Sequence, residues 1–244
     1  MLTARGRVAV LAGCALVAVL VALYAAGQAR TGPTVAAGSV RLGPDAGEVV
    51  AAYAARARVG LPPPGTVALA LVQFAGGRTV ADAAAVGAVP VEAVFRVAIP
   101  RVQTALRFEP LATGTAAATT LDIARQQAAL AAGADVARLG GPGTQPPADG
   151  SGTPQPGTSA SDGATARAAT AAEAAALERP ACPCVAALVV SGDGTALRAL
   201  ADAAGVRVVE AAPPGTTLRE LALSPLLPEQ VLRADPPPDD GPVP

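Results

Sequence analysis

Apolar and polar positions divide this chain into one long unbroken apolar run followed by shorter, periodic segments. Residues 8–27 carry no charge and almost no polar side chain, with Arg5 and Arg7 before them and Gln28 and Arg30 after. Twenty helical residues rise about 30 Å, the thickness of a bilayer's hydrocarbon core, so the run predicts a transmembrane helix. Two arginines precede it and no carboxylate occurs before Asp45. The positive-inside bias therefore expects a cytoplasmic N-terminus and an exported remainder at the cell membrane.

Two other readings of that run also export the remainder. Leu11-Ala12-Gly13-Cys14 looks like a lipidation box, but too few apolar residues separate Arg7 from Cys14 for a signal h-region. Small residues near 25–29 offer a cleavage site. The length of the run favours an uncleaved signal-anchor over both.

Beyond the anchor the pattern predicts alternating helices and strands. Asp45-Ala46-Gly47-Glu48 reads as a capping box opening a helix that runs to about Arg58, with Val49, Val50, Tyr53 and Ala57 on its apolar face. Pro62-Pro63-Pro64-Gly65 stops it, and a strand is expected over 66–74, ended by a turn at Ala75-Gly76-Gly77. Thr79 to Asp82 reads as a second capping box before a short helix to Val86. Residues 89–99 read as a strand, with 102–108 pairing back as a hairpin around Pro100.

An Ala-rich helix over 120–138 precedes a Gly, Pro, Ser and Thr stretch too poor in apolar residues to offset its ordering entropy. A second Ala-rich helix is expected over 166–178. A strand over 184–190, a helix over 195–204 and a strand over 206–211 follow. The last residues, from Asp235, read as a disordered acidic tail.

The two strand–turn–helix–strand blocks resemble each other, and both second strands contain Val-Glu-Ala, at 91–93 and 209–211. Two such halves predict an α/β (α+β) fold, a ferredoxin-like two-layer βαβ/βαβ sandwich with helices on one face and a disordered linker insertion. The expected organisation is 1–30 cytoplasmic N-terminus and signal-anchor, 31–65 spacer and short helix, and 66–138 first βαβ half with its Ala-rich helix. Then come 139–165 linker, 166–212 helix and second βαβ half, and 213–244 Pro-rich acidic tail.

Composition removes much chemistry from consideration. The chain has no His, Lys, Asn or Trp, and only two Tyr and three Phe. Without His there is no Ser-His-Asp triad and no imidazole metal ligand; without Lys there is no Schiff base and no Walker-A loop. Beyond Arg30, fifteen Arg face nineteen carboxylates without forming a basic stripe, which argues against nucleic-acid binding. A core of small aliphatic side chains buries little area per residue. An enzyme is not expected, nor any cofactor or metal.

The most distinctive local feature is Cys182-Pro183-Cys184. In an exported domain these are the only thiols outside the membrane, which makes a local disulfide plausible; intermolecular bridges, free thiols and redox activity stay open. On a fully extended chain the two Cα atoms would lie about 6.5–7 Å apart, at the edge of disulfide reach. Ser191-Gly192-Asp193-Gly194-Thr195 has the form of an anion-binding loop before a helix, although a tight turn with a Thr cap is the ordinary reading. Glu92 and Glu210 occupy matching positions in the two blocks, with Asp193 and Asp202 near the second; paired carboxylates can do acid–base work, and solvated surface acids are the commoner case.

Leu61-Pro62-Pro63-Pro64-Gly65, the run 194–200, Gly205-Val206-Arg207-Val208-Val209-Glu210 and Leu227-Pro228-Glu229-Gln230 together resemble a group of uncharacterised actinobacterial single-pass membrane-anchored exported proteins. That resemblance implies taxonomy and topology and no activity. The second block also resembles the small inhibitor propeptides of subtilases, without an attached protease. The leading functional expectation is a non-catalytic, membrane-anchored extracytoplasmic interaction or assembly module of the cell envelope, with an envelope protein of unknown identity as partner. The alternatives are a small-molecule or peptide-binding sensor using the sheet's open face, and an enzyme using carboxylates alone.

Overall fold

The computed structural model describes residues 38–140 and 160–243. The apolar run at 8–27 lies outside them, as does the linker over 141–159. Among the described residues no helix is long and apolar enough to cross a membrane.

The elements in chain order are β1 (Val40–Leu42), α1 (Val50–Val59), β2 (Val67–Arg78), α2 (Val80–Ala84), β3 (Val89–Phe95), β4 (Arg107–Pro110) and α3 (Ala117–Leu139). They continue with α4 (Ala160–Glu178), β5 (Val185–Asp193), α5 (Gly194–Ala201), β6 (Val206–Ala211) and, after a 3-10 turn at Leu218–Glu220, β7 (Leu221–Leu223). This is a mixed α+β fold. Five strands form one sheet in the order β4-β3-β5-β2-β6, antiparallel throughout, and β1 pairs with β7 in a separate parallel pair.

Strand alternation sends apolar side chains to both faces of the large sheet. Ala70, Val72 and Phe74 of β2, with Phe95, Leu188, Val190 and Val209, meet α2, α3, α4 and α5 on the first face. Leu71, Val94, Ala187 and Val189 face the other way and lie under Leu42, Leu221 and Leu223 of the β1/β7 pair. Helix α1 joins that second cover, packing Val50, Tyr53 and Ala57 against Val208 and Leu226. The expected two-layer arrangement with helices on one face is therefore corrected. Both faces of the sheet are apolar, and both are covered.

Several boundaries differ for identifiable reasons. Ala75-Gly76-Gly77 is not a turn: β2 runs on through it to Arg78, with a register shift after Gln73. A Cβ on Gly77 would lie 1.9 Å from the Pro183 carbonyl oxygen, so glycine serves a close backbone approach there. The Asp45–Glu48 motif forms its own turn, the Glu48 carboxylate accepting the Asp45 N–H at 2.9 Å, and α1 starts only at Val50 without a side-chain cap. The Thr79 hydroxyl does cap α2, accepting the Asp82 N–H.

The hairpin expected over 102–108 is displaced to β4, because the chain turns tightly between Ile99 and Val102 and Arg101 adopts φ 57°. Helix α4 starts at Ala160, earlier than the expected Ala166, so the linker is shorter than the expected 139–165. The tail from Asp235, expected to be disordered, lies against the 99–103 turn: the Gln103 N–H donates to Asp239 and the Gly241 N–H to the Arg101 carbonyl, at 2.8 and 2.7 Å.

Substituting Gly77→Ala pushes a methyl into the Pro183 carbonyl and is expected to cost about 1–3 kcal/mol, as overpacking does. Thermal denaturation by circular dichroism measures it; an unchanged melting temperature would refute the close-approach account.

Candidate functional site

The residues singled out from sequence are dispersed. Glu92 lies on β3 and Glu210 on β6, with β5 and β2 between them, so three strand spacings put them about 14 Å apart. Asp193 caps α5, its carboxylate accepting the Thr195 and Ala196 N–H groups at 2.8 and 2.9 Å. The cap is thus Asp193 rather than Thr195, and it occupies the amides an anion would need. Asp202 pairs with Arg58 at 2.8 Å on the surface. These carboxylates do not form one cluster.

Cys182 and Cys184 are joined as a disulfide with Cα atoms 5.2 Å apart, closer than a fully extended chain places them. Both are buried in the main core between the end of α4 and the start of β5. Their location ties helix to strand. Among the described residues no three His, Cys, Asp or Glu side chains gather in a way that could hold a metal ion.

Glu210 is instead the centre of a buried polar network. Its carboxylate accepts the Gly43 N–H at 2.6 Å, the Tyr53 hydroxyl at 2.9 Å and an Arg56 N–H at 2.9 Å. The Tyr53 oxygen in turn accepts from the Gln73 amide, whose own oxygen accepts the Leu226 N–H at 2.6 Å. Burial, with the Glu210 charge adding to it, pushes the Tyr53 hydroxyl far above its ordinary pKa, so it stays a donor. Sequence reasoning placed Tyr53 on an apolar face and passed over Gln73, the one polar residue between Val67 and Phe74. That isolation within an apolar strand was the available signal.

A cleft of about 580 Å³ opens between the far ends of α3 and α4, the 102–107 segment and the C-terminal tail. Arg107, at the start of β4, forms its charged floor. Its guanidinium holds the Glu173 carboxylate of α4 at 2.7 and 3.2 Å and Asp135 of α3 at 3.0 Å. Burial alone would lower the pKa of Arg107, but Glu173 and Asp135 more than offset it and raise it. Arg138 pairs with Asp135 at the rim. Glu173 stands alone in an Ala-rich run, 171–176, and that contrast was a second signal in the sequence.

These ion pairs neutralise the floor's charges against one another, and the walls add Gln103, Thr104, Ala166 and the Asp239 carboxylate, which accepts the Gln103 N–H. The cleft therefore offers shape, peptide groups, hydroxyls and one carboxylate already held by a backbone amide, in keeping with binding through hydrogen bonds and contact area. No protein-family model, curated protein or solved structure matches this chain. The likeness to actinobacterial anchored proteins thus rests on the quoted motifs alone.

Two expectations follow. Tyr53→Phe removes a hydroxyl that serves both Gln73 and Glu210 and should cost about 1–3 kcal/mol of stability, measured by urea denaturation; a change below a few tenths would overturn the role given to the network. Glu92 has a raised pKa, through burial first and the nearby Glu109 charge second. Its ionised form is disfavoured in the folded protein, so its penalty is complete above the folded pKa and vanishes below the unfolded one. Glu92→Gln should therefore be the more stable protein at neutral pH. Its advantage should close as pH falls through the raised pKa; melting curves between pH 4 and 8 showing a constant gap would refute this.

Proposed function

We propose that the chain is a membrane-anchored, extracytoplasmic interaction module of the cell envelope, tethered through residues 8–27 and without catalytic activity. The observation that carries this reading is the cleft walled by α3, α4, the 102–107 segment and the tail, whose floor charges are paired with one another. A surface of this kind favours a protein segment, which supplies backbone groups and contact area, because the buried charges of its floor are already engaged with one another. The signal-anchor reading of the apolar run supports the location.

The fold reading that accompanies it is a ferredoxin-like split βαβ sandwich. Strands β3, β5, β2 and β6 give its order, β4 extends one edge, and α1 with the β1/β7 pair forms an added second cover. That cover disfavours a ligand site on the sheet's open face. A small-molecule sensor remains the second reading because a volume of about 580 Å³ falls within the range of ligand pockets.

Crosslinking in the native membrane, followed by affinity recovery and mass spectrometry, tests the module reading. The full-length chain should recover a reproducible envelope protein, enriched at least about tenfold over an anchor-only control of residues 1–37. Recovery no greater than that control would sink the reading and direct attention to ligand screening.

A further inference from the structure

The C-terminal segment, Asp235-Pro236-Pro237-Pro238-Asp239-Asp240, is bound to its own domain in the manner of a ligand. Gln103 makes two contacts with it, its N–H donating to the Asp239 carboxylate and its side-chain amide to the Pro237 carbonyl, each at 2.8 Å. Arg101 makes two more, an ion pair to Asp240 and a backbone carbonyl that accepts the Gly241 N–H at 2.7 Å. Pro237 and Pro238 wall a hollow of about 250 Å³ with Ala98, Ile99 and Val102. Beyond them Val243 packs on Ile99, Val102 and Ala169 of α4.

Two features set these contacts apart from the packed core. Arg101 is the only non-glycine residue with positive φ among the described residues, and that uncommon conformation sits where the turn meets the tail. The contacts are also of an exchangeable kind. The Arg101 and Asp240 side chains are 60% and 62% exposed, and such a pair contributes little in water. Consecutive prolines are held extended before binding, so little entropy is lost on docking.

We propose that the 98–103 turn and the facing side of α4 form a binding groove for an acidic, proline-rich segment of a partner protein, which the chain's own tail occupies in competition. The groove reads prolines through Ile99 and Val102, one backbone carbonyl through the Gln103 amide, and two successive carboxylates through the Gln103 N–H and Arg101. This rests on the interaction-module reading and gives its partner a chemistry: prolines immediately followed by paired acids. A partner carrying that pattern meets the same groups once the tail is displaced.

The test uses a fluorescent peptide of residues 233–244 and the chain ended at Ala234, followed by fluorescence anisotropy. The tail-less chain should bind the peptide at least about tenfold more tightly than the intact chain, whose tethered tail competes at an effective concentration on the order of millimolar. Arg101→Ala in the tail-less chain should weaken binding about fivefold, as should a peptide with Asn in place of Asp239 and Asp240. The full-length variant Asp239→Ala with Asp240→Ala leaves the core untouched and should also bind the peptide better than the intact chain does. Equal affinity for intact and tail-less chains overturns the proposal, as does absence of binding to both tail-released forms when circular dichroism finds them folded. Capture of an envelope partner without any peptide binding would reject this groove while leaving the module reading in place; peptide binding without a captured partner would do the reverse.

Discussion

One carboxylate holds the second cover of this sheet in place. Glu210 reaches that face from β6, and from there it gathers the backbone of Gly43, the hydroxyl of Tyr53 and the guanidinium of Arg56. Gln73, beside it on β2, continues the chain of bonds to the backbone of Leu226. A buried carboxylate without partners would be severely destabilising, so this face has low energy only when all these segments are present. The network also selects register. A one-residue slip of β6 would turn Glu210 into the apolar layer beneath the helices and bring Val209 to the polar site.

Arginine performs the same service elsewhere. Arg96, nearly buried, grips Glu229 and so fastens the strap after β7 to the end of β3. Arg207 donates from β6 to the Leu227 carbonyl at 3.0 Å in the same strap. Arg125 reaches from α3 to the Leu177 carbonyl near the end of α4, beside its own partner Asp122. A planar guanidinium satisfies several acceptors at fixed angles, which a core of Ala and Val cannot do by shape alone. In a chain without lysine, these forks take over positioning that larger aromatic side chains often supply.

How much of this was legible in the sequence follows from the range of the forces involved. The strand 206–211 and the Thr79 cap were readable because alternation and capping are local. The course of β2 through Gly76-Gly77 was not, since the reason for glycine at 77 is Pro183, on a distant part of the chain. Likewise the tail from Asp235 reads as disordered until Gln103 is placed beneath Pro237 and Asp239 and Arg101 beside Asp240. For the candidate site, Glu92 and Glu210 matched in the repeat but are separated by sheet order, which no pattern of residues declares. The cleft at Arg107 was hidden for a related reason: its charges come from β4, α3 and α4, and only helix packing unites them.

The pairing of β1 with β7 sets a schedule for acquiring the native state. Val40, near the start of the described residues, lies opposite Leu221, near their end. A chain that emerges N-terminus first must therefore hold β1 unpartnered until Leu221–Leu223 has appeared. Until then Leu71, Val94 and Val189 lack the β1/β7 lid. The late closure of so long a loop makes folding slow, and it leaves an apolar sheet face open to chaperones until the chain is complete.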